Sequence, residues 1–247
     1  MTVALLDERI PNDARIELER RGYHTILMPA CDRLPVATAS HPDMLVMKLG
    51  DELIVEGRYF EEHSDLFREI ASLCPSIKIS CADVTLSSVY PDDCKMNALT
   101  LRERIFLRVD SVCGDIIKSA EKLGMSITSV RQGYPACTVL ALGDSHAITA
   151  DRGMASALRK EGVEVLLIDD GDILLPPYEY GFIGGATGVH RGAVYFIGDI
   201  KSHKNASEIE DFSRLAGYEP ISLCGGALLD LGRIIFIDSE DDNDKGQ

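Results

Sequence analysis

The sequence predicts an α/β fold in which a ββαβ unit repeats to form a five-bladed ring, closed by strands from the two chain ends. Three observations predict it. One complete unit is legible in Tyr134–Ile168. Its pattern also starts at His41-Pro42, Tyr90-Pro91 and near Tyr180, and prolines 42, 91 and 135 are 49 and 44 residues apart. Both chain ends are apolar strand-like runs, and each lacks partners that the other can supply. A ring leaves no sheet edge exposed, whereas a solenoid needs polar caps at its ends. A doubly wound sheet would alternate single strands with helices, and here the strands come in pairs.

In the reference unit, Cys137–Leu142 reads as a first strand, Gly143-Asp144-Ser145 as a turn and His146–Ala150 as a second strand. Asp151 is a helix cap, because its carboxylate accepts a bond from a free N–H of the first turn. Met154, Ala155 and Leu158 follow at helical spacing, Gly162 ends the helix, and Val163–Ile168 is an apolar run of strand length. At the N-terminus, Val3–Leu6 is a strand, Asn12 opens a helix that Gly22 ends, and Thr25–Met28 is a strand; residues 29–40 are a loop. The second unit comprises Met44–Lys48, Leu53–Val55, a helix with Phe60, Phe67 and Ile70 on one side, and Ile77–Ile79. The third comprises Cys94–Leu99, Arg104–Val109, a helix carrying Ile116 and Ala120, and Ile127–Val130. The last comprises a Gly-rich strand Phe182–Val189, Val194–Ile197, a helix carrying Ile209 and Phe212, and Ile221–Leu223. A hairpin of Gly226–Asp230 and Arg233–Ile237 then ends the pattern. The expected organisation is one domain, residues 1–238, and an acidic disordered tail, 239–247.

Composition narrows the function. The formal charge is −15 over 247 residues, so a nucleic-acid partner, which would need clustered Lys and Arg, is not expected. No apolar run reaches the roughly 20 residues of a membrane helix, and the start lacks the pattern of a signal peptide. Seven cysteines without CxxC or paired Cys/His spacing point to a reducing cytoplasm and to no structural metal. Gly181–Gly188 sits in a hairpin and lacks the Lys-Ser/Thr of a phosphate loop, and no motif asks for a cofactor. Monomer and homo-oligomer both stay open.

A ring of five ββαβ units resembles the pentein superfamily, over about residues 1–238. GYPACTVLALGDSHAITADRG (133–153), YEYGFIGGATG (178–188) and LLDLG (228–232) resemble, more closely, an uncharacterised bacterial pentein-like family with a domain of unknown function. The superfamily resemblance, with arginine deiminases and amidinotransferases among its members, implies a guanidinium substrate in a central channel. Carboxylates would grip it, a His would transfer protons, and a Cys near the C-terminus would attack the guanidinium carbon through a covalent intermediate. That Cys usually follows a GG-containing segment. In Gly225-Gly226-Ala227-Leu228-Leu229-Asp230 its place falls on Asp230, while Cys224 precedes the glycines. The family's His-x-Asp or His-x-Glu element is replaced by Gly188-Val189-His190-Arg191-Gly192.

The expected ligand-binding set is Asp43, Asn97, Cys137, Gly184, Gly185 and Asp230. Asp43, Asn97 and Asp230 stand among apolar neighbours on first strands, which the repeat puts in equivalent places, and a carboxylate facing a channel suits a guanidinium or amine. Cys137 begins the first strand of its unit. Dense glycine at 184 and 185 marks close backbone approach to a ligand or to another segment. Cys224 and His190 are the expected catalytic pair, with Cys137 and His146 as alternatives. The bland readings are a buried apolar thiol for each cysteine and an ordinary surface residue for each histidine. Two functions follow. One is binding of a small cationic or polar, guanidino-like metabolite, or a protein partner, without deiminase-type catalysis. The other is Cys-dependent hydrolysis or transfer at a guanidino C–N bond. The sequence does not decide whether the chain is an enzyme.

Overall fold

The structure, a computed structural model, describes residues 1–239. Four three-stranded sheets are each built from one stretch of chain. They are Val46–Leu49, Glu52–Glu56 and Lys78–Ala82; Leu99–Leu101, Arg104–Leu107 and Ser126–Ser129; Val139–Leu142, His146–Thr149 and Glu164–Leu167; and Thr187–His190, Ala193–Phe196 and Glu219–Ser222. In each, the first two strands pair antiparallel across a tight turn and the third pairs parallel to the second after a helical crossover. This is the predicted ββαβ order. A fifth sheet joins the chain ends: Thr2–Asp7 lies between Ile235–Asp238, antiparallel, and Tyr23–Met28, parallel. The sheets are separate, and none closes on itself.

The helix Arg152–Lys160 shows how local chemistry sets these units. The Asp151 carboxylate accepts the Met154 N–H at 2.8 Å, and Met154, Ala155 and Leu158 turn one buried stripe onto the sheet. Gly162, at φ +79°, ends the segment in the left-handed region. Apolar clusters then link neighbouring sheets. Leu99 and Phe106 pack with Val139 and Ala147, and Leu140 and Ile148 with Val194 and Phe196. Tyr195 and Ile197 pack with Ala4 and Leu6, while Val3 and Leu5 share a cluster with Val46, Ile54, Ile105 and Leu107. Each sheet therefore shares buried surface with the sheets before and after it in chain order.

Three sequence expectations are corrected. The first strands are shorter than predicted, because prolines 42 and 135 open single helical turns, Pro42–Leu45 and Pro135–Thr138. Proline suits that position, since its φ is already helical and its missing N–H would have no partner there. Asp43 and Cys137 thus lie on helical turns, and Asn97 in the turn before Leu99–Leu101. The Gly-rich segment is extended only over Thr187–His190 and turns over 183–186. The C-terminal hairpin does not form: Leu228–Leu229 pairs parallel to an unpredicted strand, Ile173–Leu174, and Ile235–Asp238 pairs with Thr2–Asp7. Gly232 and Arg233, at φ +71° and +63°, redirect the chain between them. The predicted tail falls, from residue 240 on, outside the described residues.

Candidate functional site

The starts of three units deliver one polar side chain each to a single buried group. The Cys137 thiol donates to Asp43 Oδ2 at 2.8 Å, and Asn97 Nδ2 donates to Cys137 Sγ at 3.2 Å and to the Asp43 carbonyl at 3.3 Å. Asn97 Oδ1 in turn accepts the Ala136 N–H at 2.8 Å, which fixes the orientation of the amide. Burial pushes the Cys137 thiol well above the usual range, and the Asp43 charge adds to it. Burial also raises Asp43, against the opposing bond from Cys137 and the charge of Arg233. The thiol is therefore a protonated donor rather than a thiolate.

Asp230 comes from the C-terminal segment. Its Oδ2 accepts the Phe182 N–H at 2.8 Å and its Oδ1 the Gly232 N–H at 3.2 Å. These bonds tie it to the Gly-rich segment, whose composition is thereby explained. A Cβ on Gly185 would collide with the Asp230 carboxylate, and one on Gly184 with the carbonyls of Ala136, Cys137 and Val139. The close approach expected at 184 and 185 is real, and what approaches is the chain itself. Burial raises Asp230 to about 7, with the charges of Asp43 and Asp7 adding to it.

His41, Asp7, Asp93 and Arg233 join this group without having been singled out in the sequence. The His41 ring is 1% exposed and lies between two carboxylates, with Nδ1 3.9 Å from Asp230 Oδ1 and Nε2 3.9 Å from Asp7 Oδ2. Among the described residues, neither nitrogen has a hydrogen-bond partner in the protein. Burial lowers its pKa to about 3, so the ring is neutral. Asp7 is held from the other side by Arg9, at 2.5 and 2.9 Å. Burial lowers the Arg233 pKa, against the raising charge of Asp43 nearby. The one available signal for His41 was its place before Pro42, matching Tyr134 before Pro135.

A cavity of about 380 Å³ opens onto this group. Its buried wall includes His41, Met44, Asp93, Cys137 and Asp230, and Tyr178 and Glu179 are exposed at its rim. Tyr134, Tyr180 and Phe182 supply half-buried aromatic surface, and the Tyr134 hydroxyl donates to Asp93 Oδ2 at 2.6 Å. The charged residues of the lining are Asp93, Glu179 and Asp230, with no Lys or Arg. Asp43 Oδ1 and Asp93 Oδ1 are buried without hydrogen-bond partners, as are both His41 nitrogens. Buried polar atoms in folded proteins are rarely left unpaired, and three of these four, on His41 and Asp93, belong to residues of the cavity wall.

The expected catalytic pair is not part of this group. Cys224 is half-buried and packs against the cluster containing Leu6, Tyr195 and Leu223. His190 bonds Tyr23 Oη at 3.0 Å and Asp238 at 3.0 and 3.1 Å, and stacks on Phe236. Neither has a hydrogen bond, ion pair or ring contact with Asp43, Asn97, Cys137 or Asp230. His146 bonds Ser145 Oγ at 2.9 Å and faces Glu164. Among the described residues, no cluster of His, Cys, Asp and Glu could hold a metal ion, and no helix is long and apolar enough to cross a membrane.

The fold is similar to that of several solved structures. A dimethylarginine dimethylaminohydrolase, in an adduct with S-methyl-L-thiocitrulline, matches at a TM-score of 0.56 with 10% identity, over 90% of this chain and 91% of that one. The agmatine deiminase of C. jejuni matches at 0.56 with 8% identity, over 90% and 87%. SxtG, an amidinotransferase of Microseira wollei, matches at 0.50 with 12% identity, over 85% and 74%. These are pentein-fold proteins, and at such identities the likeness establishes the pentein fold of this chain alone. No curated protein matches the sequence. The model of a family described as "Family of unknown function (DUF6873)" matches residues 5–235, nearly the whole chain, and the chain belongs to that family.

Proposed function

We propose that the chain is a pentein-like protein that binds a small organic cation, guanidino-like in its hydrogen bonding, in the cavity beside Asp230 and Cys137. The five sheets are read as blades around a common axis, supported by the apolar clusters that link each to the next and by the pairing of the two chain ends. The observation that carries the functional reading is the unpartnered Asp93 Oδ1 and neutral His41 on the wall of an aromatic cavity whose charged lining residues, Asp93, Glu179 and Asp230, are all acidic. A guanidinium offers several N–H donors, a positive charge and a flat face for aromatic rings. Calorimetric titration with butylguanidine and with the isosteric neutral butylurea tests it. Binding of the first and not the second is expected; equal affinities, or no binding of either, sinks the reading.

A second reading has one observation in its favour. Cys137, rather than Cys224, lines the cavity and donates to a carboxylate that can take its proton. The corresponding activity is Cys-dependent attack on a guanidino carbon, with ureido product formed from a guanidino panel and lost in Cys137→Ala. The raised thiol pKa stands against it, and binding without turnover is the reading we favour.

A further inference from the structure

We propose that Arg9, which lies outside the cavity, is a positioning residue for it: by occupying Asp7, its guanidinium leaves the single proton of the His41 imidazole to face Asp230. The inference concerns the control of the cavity, and it rests on the reading above only in taking Asp230 as a group that meets the ligand.

Arg9, Asp7, His41 and Asp230 form a line from the surface to the cavity. Arg9 donates to Asp7 through its backbone N–H and Nε, to Oδ1 at 2.8 and 2.9 Å, and through Nη2, to Oδ2 at 2.5 Å. The same guanidinium holds the carbonyls of Val36 and Ala37 at 3.1 and 2.9 Å, next to Thr38 on the cavity wall. His41 stands between the two carboxylates, with Nε2 3.9 Å from Asp7 and Nδ1 3.9 Å from Asp230. Gly232 backs directly onto His41, where a Cβ would collide with His41 Cβ and Cγ. The side chain is thus confined, and what remains adjustable is which ring nitrogen has the proton.

A neutral imidazole has one N–H donor and one acceptor, and here two carboxylates compete for the donor. Asp7 already accepts three bonds and faces a guanidinium, whereas Asp230 accepts one backbone N–H on each oxygen. Ionised Asp230 is therefore the stronger acceptor, and the proton belongs on Nδ1. The charge of Arg9 reaches both groups: with burial it holds His41 neutral, and the charge of Asp230 in turn raises Arg9. Asp43 and Cys137 are the other ionisable neighbours of Asp230, and Arg233 is beside Asp43. Asp93 and Glu179 are the other acids of the cavity wall, with Tyr134, Tyr178 and Tyr180 beside them.

The test is NMR of the protein without ligand. Nitrogen-15 shifts of the histidine rings give the tautomer, with His41 assigned by its absence from His41→Gln; carbon-13 shifts of the aspartate carboxyls give the titration of Asp230, assigned with Asp230→Asn. At pH 8 the wild type should have His41 protonated on Nδ1. Arg9→Gln should move that proton to Nε2 and shift the ionisation of Asp230 upward by about half a pH unit or more. Arg9→Lys, which keeps a cation on Asp7, should keep the wild-type tautomer. Asp7→Asn leaves only the part-exposed Arg9 unpaired, so it serves even if Arg9→Gln does not fold; it should keep the proton on Nδ1 and lower the midpoint of Asp230. An Nε2 proton in the wild type at pH 8, a folded Arg9→Gln variant with unchanged tautomer, or an Asp230 midpoint unmoved by Asp7→Asn overturns the proposal. These readouts need no ligand, so the expected tautomers without butylguanidine binding would overturn the cation site alone.

Discussion

Cation binding to this cavity should be coupled to loss of a proton from Asp230. The carboxyl is fully buried, its oxygens accept only two backbone N–H groups, and Asp43 and Asp7 are its acidic neighbours. Neutral His41 faces it at 3.9 Å, Cys137 nearby is a protonated thiol, and Arg9 reaches Asp7 rather than Asp230. With its pKa near 7, about one molecule in ten has Asp230 ionised at pH 6 and about nine in ten at pH 8. A guanidinium stays charged throughout, so the titration belongs to the protein. Affinity for butylguanidine should therefore be level above about pH 8 and fall about tenfold per pH unit below 7, or about 1.4 kcal/mol per unit. Calorimetry at pH 6 in buffers of different ionisation enthalpy should register release of about 0.9 proton per ligand bound. Asp230→Asn should bind weakly with no such slope.

The same group makes a stability prediction of opposite sense to that of an ordinary surface aspartate. Its folded pKa is raised, so the folded state holds the proton more tightly than the unfolded state. Stability from this group is complete below pH 3.8, the ordinary value, and is lost as pH rises to about 7. The full loss is on the order of 4 kcal/mol. Asp230→Asn removes the ionisation and should raise the melting temperature at pH 8 relative to its effect at pH 4, even if one backbone bond is lost at both. A wild-type binding profile that is flat from pH 5.5 to 8, together with an Asn variant whose melting difference does not vary with pH, would refute the assignment.

Three further outcomes test the local structure. In folded protein, iodoacetamide should label exposed Cys81 long before Cys137, whose thiol is buried and protonated; mass spectrometry showing equal rates would contradict the hydrogen-bonded thiol. Gly185→Ala places a methyl group against the Asp230 carboxylate and should cost about 1–3 kcal/mol, read as a lowered denaturation midpoint. Asp151→Ala removes the cap of the helix Arg152–Lys160 and its bond to Gln132, and should cost about 1 kcal/mol or more, with Asp151→Asn recovering most of it; an Ala variant as stable as wild type would remove the cap from the account.

Repeat, strand pairing and helix ends were legible in the sequence because they depend on local chemistry. The Xaa-Pro pairs, the Asp151 cap and Gly162 act within a turn or two of where they stand. The convergence of Asp43, Asn97 and Cys137 was legible for a related reason: units of one kind put like positions in like places. What was not legible depends on contacts far apart in the chain. The parallel pairing of Ile173–Leu174 with Leu228–Leu229 involves two residues a side, too few to leave a pattern. Read alone, the segment after Gly225 is a hairpin; its bonds to distant residues, of Asp230 to Phe182 and Leu174 and of Leu231 and Arg233 to Gly185, reveal a turn directed inward. His41 was passed over because a histidine before a proline announces a turn, not burial between Asp7 and Asp230.

The cavity keeps its polar groups at an energetic disadvantage. Asp43 and Asp230 are displaced upward by burial, His41 is held neutral without a hydrogen bond, and Asp93 leaves one oxygen unpaired. A core chosen for stability alone would replace such groups with packed apolar side chains, often without loss. Unpaired buried atoms also occur elsewhere, on Arg33, Glu56 and His203, but Glu56 there accepts from Arg33 and from the Tyr59 N–H, whereas Asp230 and Asp93 have no cationic partner on the cavity wall. Binding of a cation would offset the cost at this one place, because it supplies both the missing donors and the missing charge. A bound guanidinium should therefore raise the melting temperature more at pH 8, where Asp230 is ionised, than at pH 6, and that difference should vanish in Asp230→Asn.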